Sequence, residues 1–181
     1  MTTSPFSNPA TGAVHNSAAY IQALLDLLAG REPIPVQQEL VSALADLTSG
    51  LSAAQLVRPE AAGKWSIVQV VQHLAQTELV YAYRYRVVLA QDDPEIPGFD
   101  QERWVARLAF DTEDLAKAMA RLQQLRSWNL ALLEGLSADQ WRRSGSHAER
   151  GVETVRRIAD LGAAHDLVHR GQIERIRSAV T

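Results

Sequence analysis

His165 and His169 stand four residues apart in RIADLGAAHDLVHRGQIERI, a stretch with helical periodicity. On a helix, that spacing puts both imidazoles on one face, one turn apart. It is the simplest way for one helix to offer two nitrogen ligands to a metal ion. A third histidine, His73, lies in a second apolar stretch, SIVQVVQHLAQTELVYAY. The fold has to carry this third ligand to the pair.

Helical phase sharpens the pattern. Val155, Ile158, Gly162, Ile173 and Ile176 define one apolar stripe, and His165 and His169 fall in its middle. Two titratable rings in a buried stripe are costly without partners, and a metal ion would satisfy both. The alternative is a pair of core histidines bonded to backbone or side chains. His73 sits at the edge of the stripe Ile67, Val70, Val71, Leu74, Tyr81, Tyr85 and Val88. From there it either reaches across a groove or is an ordinary boundary histidine.

Glu78 lies within that same apolar stripe. A buried carboxylate needs a metal, an arginine or a bound water. Glu78 is therefore either a base or ligand beside the metal, or the partner of an inward arginine. Arg126 and Asn129 share the inward face of the next helix with Leu115, Ala118, Leu122, Leu125 and Leu133. They either contact a substrate or lie near the bundle end and reach solvent. His147, read as a loop residue, is either solvated or guards the mouth of the site. His15 receives no role.

The elements that must position these residues are helices. The patterns predict helices over Ser17–Ala29, Val36–Thr48, Ser66–Ala90, Glu113–Leu133 and Val152–Ala179, with no competing strand alternation. Pro33 and Pro35 read as a stiff turn, and QDDPEIPGFD is a break followed by a crossover that Trp104 and Phe110 anchor. Ser52/Gln55 and Ser66/Gln69 have capping-box spacing. GLSAAQ and GLSADQ differ at one position, and each closes a helix before a loop leads to a histidine-bearing helix. This is either a weak internal repeat of a helix pair or a recurring capped turn. Residues 1–16, rich in Ser, Thr, Pro and Asn, read as a flexible arm, and 17–181 as one domain. The expected class is all-α, a four-helix bundle with an extra N-terminal helix.

Composition removes other classes. With no cysteine among 181 residues, thiolate ligands, disulfides and cysteine nucleophiles are excluded. The net charge is -3 with both signs dispersed, so the electrostatic footprint of a nucleic-acid binder is missing. No secretory signal and no membrane span is visible, which makes a cytoplasmic protein with no membrane partner the expectation.

Trp65-Ser66, His73-Leu74, Glu78, the proline-glycine crossover, GSH…G at 145–151, His165-Asp166 and His169 occur in an order that resembles the DinB-like superfamily. The resemblance covers roughly Leu40 to Ile176. These are metal-binding four-helix bundles, among them bacillithiol- and mycothiol-dependent S-transferases. The resemblance implies that His73, His165 and His169 bind a divalent metal, with zinc or nickel expected, and that the chain forms a homodimer. It also implies a small-molecule substrate and a low-molecular-weight thiol such as bacillithiol or mycothiol.

Two functions follow as expectations. One is an enzyme, a thiol-dependent S-transferase or a metal-dependent hydrolase, with open metal positions that lower the pKa of a thiol or water. In it Glu78 acts as base or outer-shell group, and Arg126, Asn129 and His147 contact the substrate. The other is a non-catalytic dimeric bundle whose metal is structural or adventitious.

Overall fold

The computed structural model describes residues 17–108 and 114–181. The expected arm at 1–16 lies outside the described residues, as does Phe110. Helix α1 (Ser17–Leu28) is followed by α2 (Pro33–Thr48), the short α3 (Ala53–Leu56) and the long α4 (Ile67–Ala90). Strand β1 (Glu95–Ile96) and α5 (Gln101–Arg107) form the crossover. Then come α6 (Leu115–Glu134), α7 (Ala138–Arg142), strands β2 (Ser144–His147) and β3 (Gly151–Thr154), and α8 (Val155–Val180).

The chain is a four-helix bundle of α2, α4, α6 and α8. Helix α4 packs against α6 and α8, and α2 packs against the same two neighbours. Helices consecutive through a short capped helix, α2/α4 and α6/α8, therefore face each other across the diagonal. Serine and glutamine close the capping boxes at Ser52/Gln55, Ser66/Gln69 and Ser137/Gln140, satisfying backbone N–H groups that the first helical turn leaves without partners. GLSAAQ and GLSADQ thus do the same local work in two halves of like layout: long helix, capped short helix, long helix with histidines. The extra N-terminal helix α1 lies on α8, where Leu24 and Leu28 pack with Leu161, Ala164 and Val168.

Two helix starts differ from the sequence expectation. Helix α2 starts at Pro33, because proline suits a first helical turn whose N–H groups have no intrahelical acceptor. Helix α8 starts at Val155, because residues 151–154 form a strand and Thr154 then caps the helix, its side chain accepting from the Arg157 N–H. A small sheet, β1-β2-β3, is also present where no strand was expected. Its strands of two to four residues are too short to show alternation. β1 runs parallel to β2 with Ile96 opposite His147, and β2 is antiparallel to β3. Gly145 permits the first pairing: a Cβ there would lie 2.7 Å from the Pro94 carbonyl oxygen.

Two apolar clusters fill the bundle. Leu40, Leu44, Val70, Leu74, Leu122 and Ile176 meet at one end, and Tyr85, Val88, Leu133, Val155 and Ile158 at the other. Each fully buried large side chain contributes roughly 1.5–3 kcal/mol relative to exposure.

Candidate metal centre

The capping box at Ser66 starts α4 in a defined phase, and His73 follows two turns later. His165 and His169 lie in mid-helix on α8. The three rings converge at the bundle interior: Nε2 of His165 is 3.1 Å from Nε2 of His73 and 3.0 Å from Nε2 of His169. One ligand nitrogen from each ring falls in a group spanning no more than 4.8 Å. A divalent cation with bonds of about 2.0–2.1 Å to nitrogen holds adjacent ligand atoms about 2.8–3.4 Å apart for bond angles between about 90° and 110°. The two short separations fit that range.

The charge state fits as well. Burial pushes all three histidines below their ordinary range, and His169 is brought down to about 4. Neighbouring rings add to the depression at His73 and His165, and Arg175 adds to it at His169. Three neutral imidazoles cannot all donate into one shared space, whereas their lone pairs suit a cation. The Nδ1–H of His169 donates to Gln172 Oε1 at 2.8 Å, which turns the Nε2 lone pair inward.

The burial of the triad inverts the expectation from helical phase. His73, placed at a stripe edge, is 1% exposed, while His165, placed at a stripe centre, is only half-buried. Aromatic rings supply the reason. Trp65 lies 5.0 Å from His73 and stacks at 6.4 Å on His169, and Phe99 from the crossover stacks at 6.4 Å on His73. Trp104 meets Phe99 edge-on. The site is therefore walled beside His73 and His169 and more open beside His165.

Glu78 lies outside the convergent group. Its Oε1 is 2.9 Å from an Arg126 nitrogen, and its Oε2 accepts from Asn129 at 2.9 Å. Arg126 and Asn129 are fully buried, not at a solvent-reaching bundle end. Arg126 also forms a bidentate pair with Asp166 at 2.6 and 2.9 Å. Burial pushes the Asp166 carboxyl up to about 6, although the Arg126 guanidinium beside it pulls the other way.

His147 is a strand residue, 1% exposed, rather than a solvated loop histidine. It lies against Arg84 and accepts a hydrogen bond from the Glu149 backbone. Burial, then Arg150 and Arg84, push it down to about 4. The convergent group does not include it.

Gln172 and the aromatic wall formed by Trp65 and Phe99 were not expected as site residues. The i, i+3 spacing of His169 and Gln172 carried the first signal. Phe99 had none, since it arrives through a crossover.

Comparison with known proteins agrees with this architecture. The DinB superfamily profile matches residues 37–173. YfiT of Bacillus subtilis, provisionally named a metal-dependent hydrolase, is 27% identical over 79% of this chain and 81% of its own. A Bacillus cereus protein with the same provisional name is 24% identical over 77% of this chain and 80% of its own. The solved structure of YfiT, described as having an unusual four-helix bundle topology, superposes with a TM-score of 0.74, covering 80% of this chain and 83% of YfiT.

Proposed function

The chain belongs to the DinB superfamily, and from that premise we propose that it is a metal-dependent hydrolase of a small-molecule substrate, with His73, His165 and His169 as metal ligands. The observation that carries this reading is the placement of His165 Nε2 at 3.1 and 3.0 Å from the Nε2 atoms of the other two rings. When bound, a divalent cation supplies the Lewis acidity that activates a nucleophile near neutral pH.

The protein's own residues do the rest. His169, oriented by Gln172, and His73, packed under Trp65 and Phe99, hold two nitrogens in place. The half-buried His165 lies on the accessible side, where a substrate would approach. Trp65 and Phe99 exclude water from the opposite side and so strengthen electrostatic contacts within the site. Among the described residues no carboxylate joins the three nitrogens. Three protein ligands with open positions suit catalysis better than a structural role. Zinc and nickel both accept this donor set.

Metal analysis of the untagged protein is the direct test. One metal ion per chain is expected, and its loss in a His165→Ala, His169→Ala double variant. Metal retained by the double variant overturns the ligand assignment. Ester and amide panels with and without chelator then test hydrolysis. Metal-dependent consumption of bacillithiol or mycothiol, with no turnover of those panels, would replace hydrolysis by thiol transfer at the same site.

A further inference from the structure

We propose that Arg126 is a positioning residue for the metal centre: the buried ionic knot it forms with Glu78 and Asp166 sets the relative placement of the two helices that carry the histidines. The inference rests on the three-histidine metal reading.

Helix α6 contributes no ring to the convergent group, yet its Arg126 touches every other helix of the bundle. One nitrogen donates to the Gln37 carbonyl on α2 at 2.8 Å and to Asp166 on α8 at 2.6 Å. The other donates to Asp166 at 2.9 Å and lies 2.9 Å from Glu78 on α4. Asn129, one turn along α6, donates to both the Glu78 carboxylate and the Glu78 backbone carbonyl. Asp166 is adjacent in sequence to His165, and Glu78 follows His73 by five residues, about 7.5 Å along the helix axis. The knot therefore grips both ligand helices close to their ligands.

The triad needs such a grip. Among the described residues, a side chain outside the triad, Gln172, fixes the ring of His169, while the buried Nδ1 of His73 has no hydrogen-bond partner. His73 and His165 come from different helices, so their 3.1 Å separation depends on how α4 and α8 are placed. Buried ion clusters are poor sources of net stability, because desolvation offsets the attraction, and well-packed apolar replacements are often neutral or stabilising. Their directional, bidentate bonds do fix geometry. Here the geometry fixed is that of the metal ligands.

The test separates alignment from stability. Arg126→Met alone leaves two carboxylates buried without a cation and is expected to lose the fold. The triple variant Glu78→Leu, Arg126→Met, Asp166→Leu removes the whole knot and is expected to melt at or above the parent temperature. Its affinity for zinc ion, measured by chelator competition, is expected to fall at least about tenfold, the scale seen when groups that orient metal ligands are lost. Arg126→Lys, which keeps the charge but loses the fork, is expected to fold and to bind zinc more weakly than the parent. Zinc affinity unchanged in the triple variant or in Arg126→Lys overturns the proposal. A triple variant that does not fold also overturns it, by assigning the knot to stability. A parent protein that binds no zinc or nickel removes the metal reading itself, and is thereby distinct from a failure of the knot alone.

Discussion

Gln172 Oε1 lies 2.8 Å from Nδ1 of His169, one helical turn away on α8. A glutamine carbonyl only accepts, so His169 carries its proton on Nδ1 and offers the Nε2 lone pair to the other two rings. Gln172→Leu removes this tautomer selection at little change in volume. Zinc affinity is expected to fall about 10- to 100-fold, with the fold retained. Chelator competition read beside a thermal melt checks this, and an unchanged affinity would mean that ring packing alone orients His169.

Acid destabilises the metal-free protein, and the sign follows from burial. His73, His165, His169 and His147 all have folded-state values below the ordinary one, with His169 and His147 at about 4. As pH falls below about 6.5, the unfolded chain takes up protons that the fold refuses, so stability present above that pH is lost toward pH 4. Asp166 opposes this, since its folded value of about 6 lies above the unfolded one and it takes up a proton earlier in the fold. Each net proton corresponds to about 1.4 kcal/mol per pH unit. Urea titrations in chelator at pH 7 and pH 5 should show the lower midpoint at pH 5. A higher midpoint at pH 5 would contradict neutral, buried histidines.

Trp65 reports on the centre because its ring lies 5.0 Å from His73. Nickel ion is expected to quench part of the tryptophan emission at one equivalent per chain. Most of the quenched part should disappear in Trp65→Phe, with a smaller share left to Trp104, which stands one ring further from His73 behind Phe99. Quenching undiminished in Trp65→Phe would place the bound ion elsewhere.

Gly145→Ala tests the sheet separately from the metal. Its Cβ would meet the Pro94 carbonyl at 2.7 Å and Ile96 at 3.0 Å, so β1 must move away from β2. A loss of about 1–3 kcal/mol is expected, the usual cost of overpacking, with zinc stoichiometry unchanged. Equal urea midpoints for the variant and parent would show that the β1–β2 pairing yields without cost.

Local signals in the chain were the legible ones. The His165/His169 spacing, the capping-box spacings at Ser52/Gln55 and Ser66/Gln69 and the apolar periodicity each depend on neighbours within a turn or two, and they led to the bundle and to two of the convergent rings. What tertiary contact decides was not legible. His73 is buried because Phe99 covers it from a crossover. Arg126 and Asn129 looked like cavity or end residues, and their partners, Glu78 and Asp166, lie on two other helices. Glu78 did announce a partner by interrupting an apolar stripe, but a single interruption does not tell an arginine from a metal. The strands around His147 were missed because SGSH and GVET are too short and too poor in apolar residues to show a period of two.

His73 and His165 are 92 residues apart and belong to the two successive halves of the chain, α2–α4 and α6–α8. Neither half alone assembles the three nitrogens, so an unfolded or half-folded chain offers the ion no comparable seat. Binding energy then accrues to the finished fold alone, about 2.7 kcal/mol when free metal exceeds its dissociation constant a hundredfold. That is a sizeable fraction of a typical domain's total stability of about 5–15 kcal/mol. Under the metal reading, scarcity of the ion would therefore shorten the protein's lifetime as well as silence it, because chains without metal unfold more often and are exposed to proteolysis.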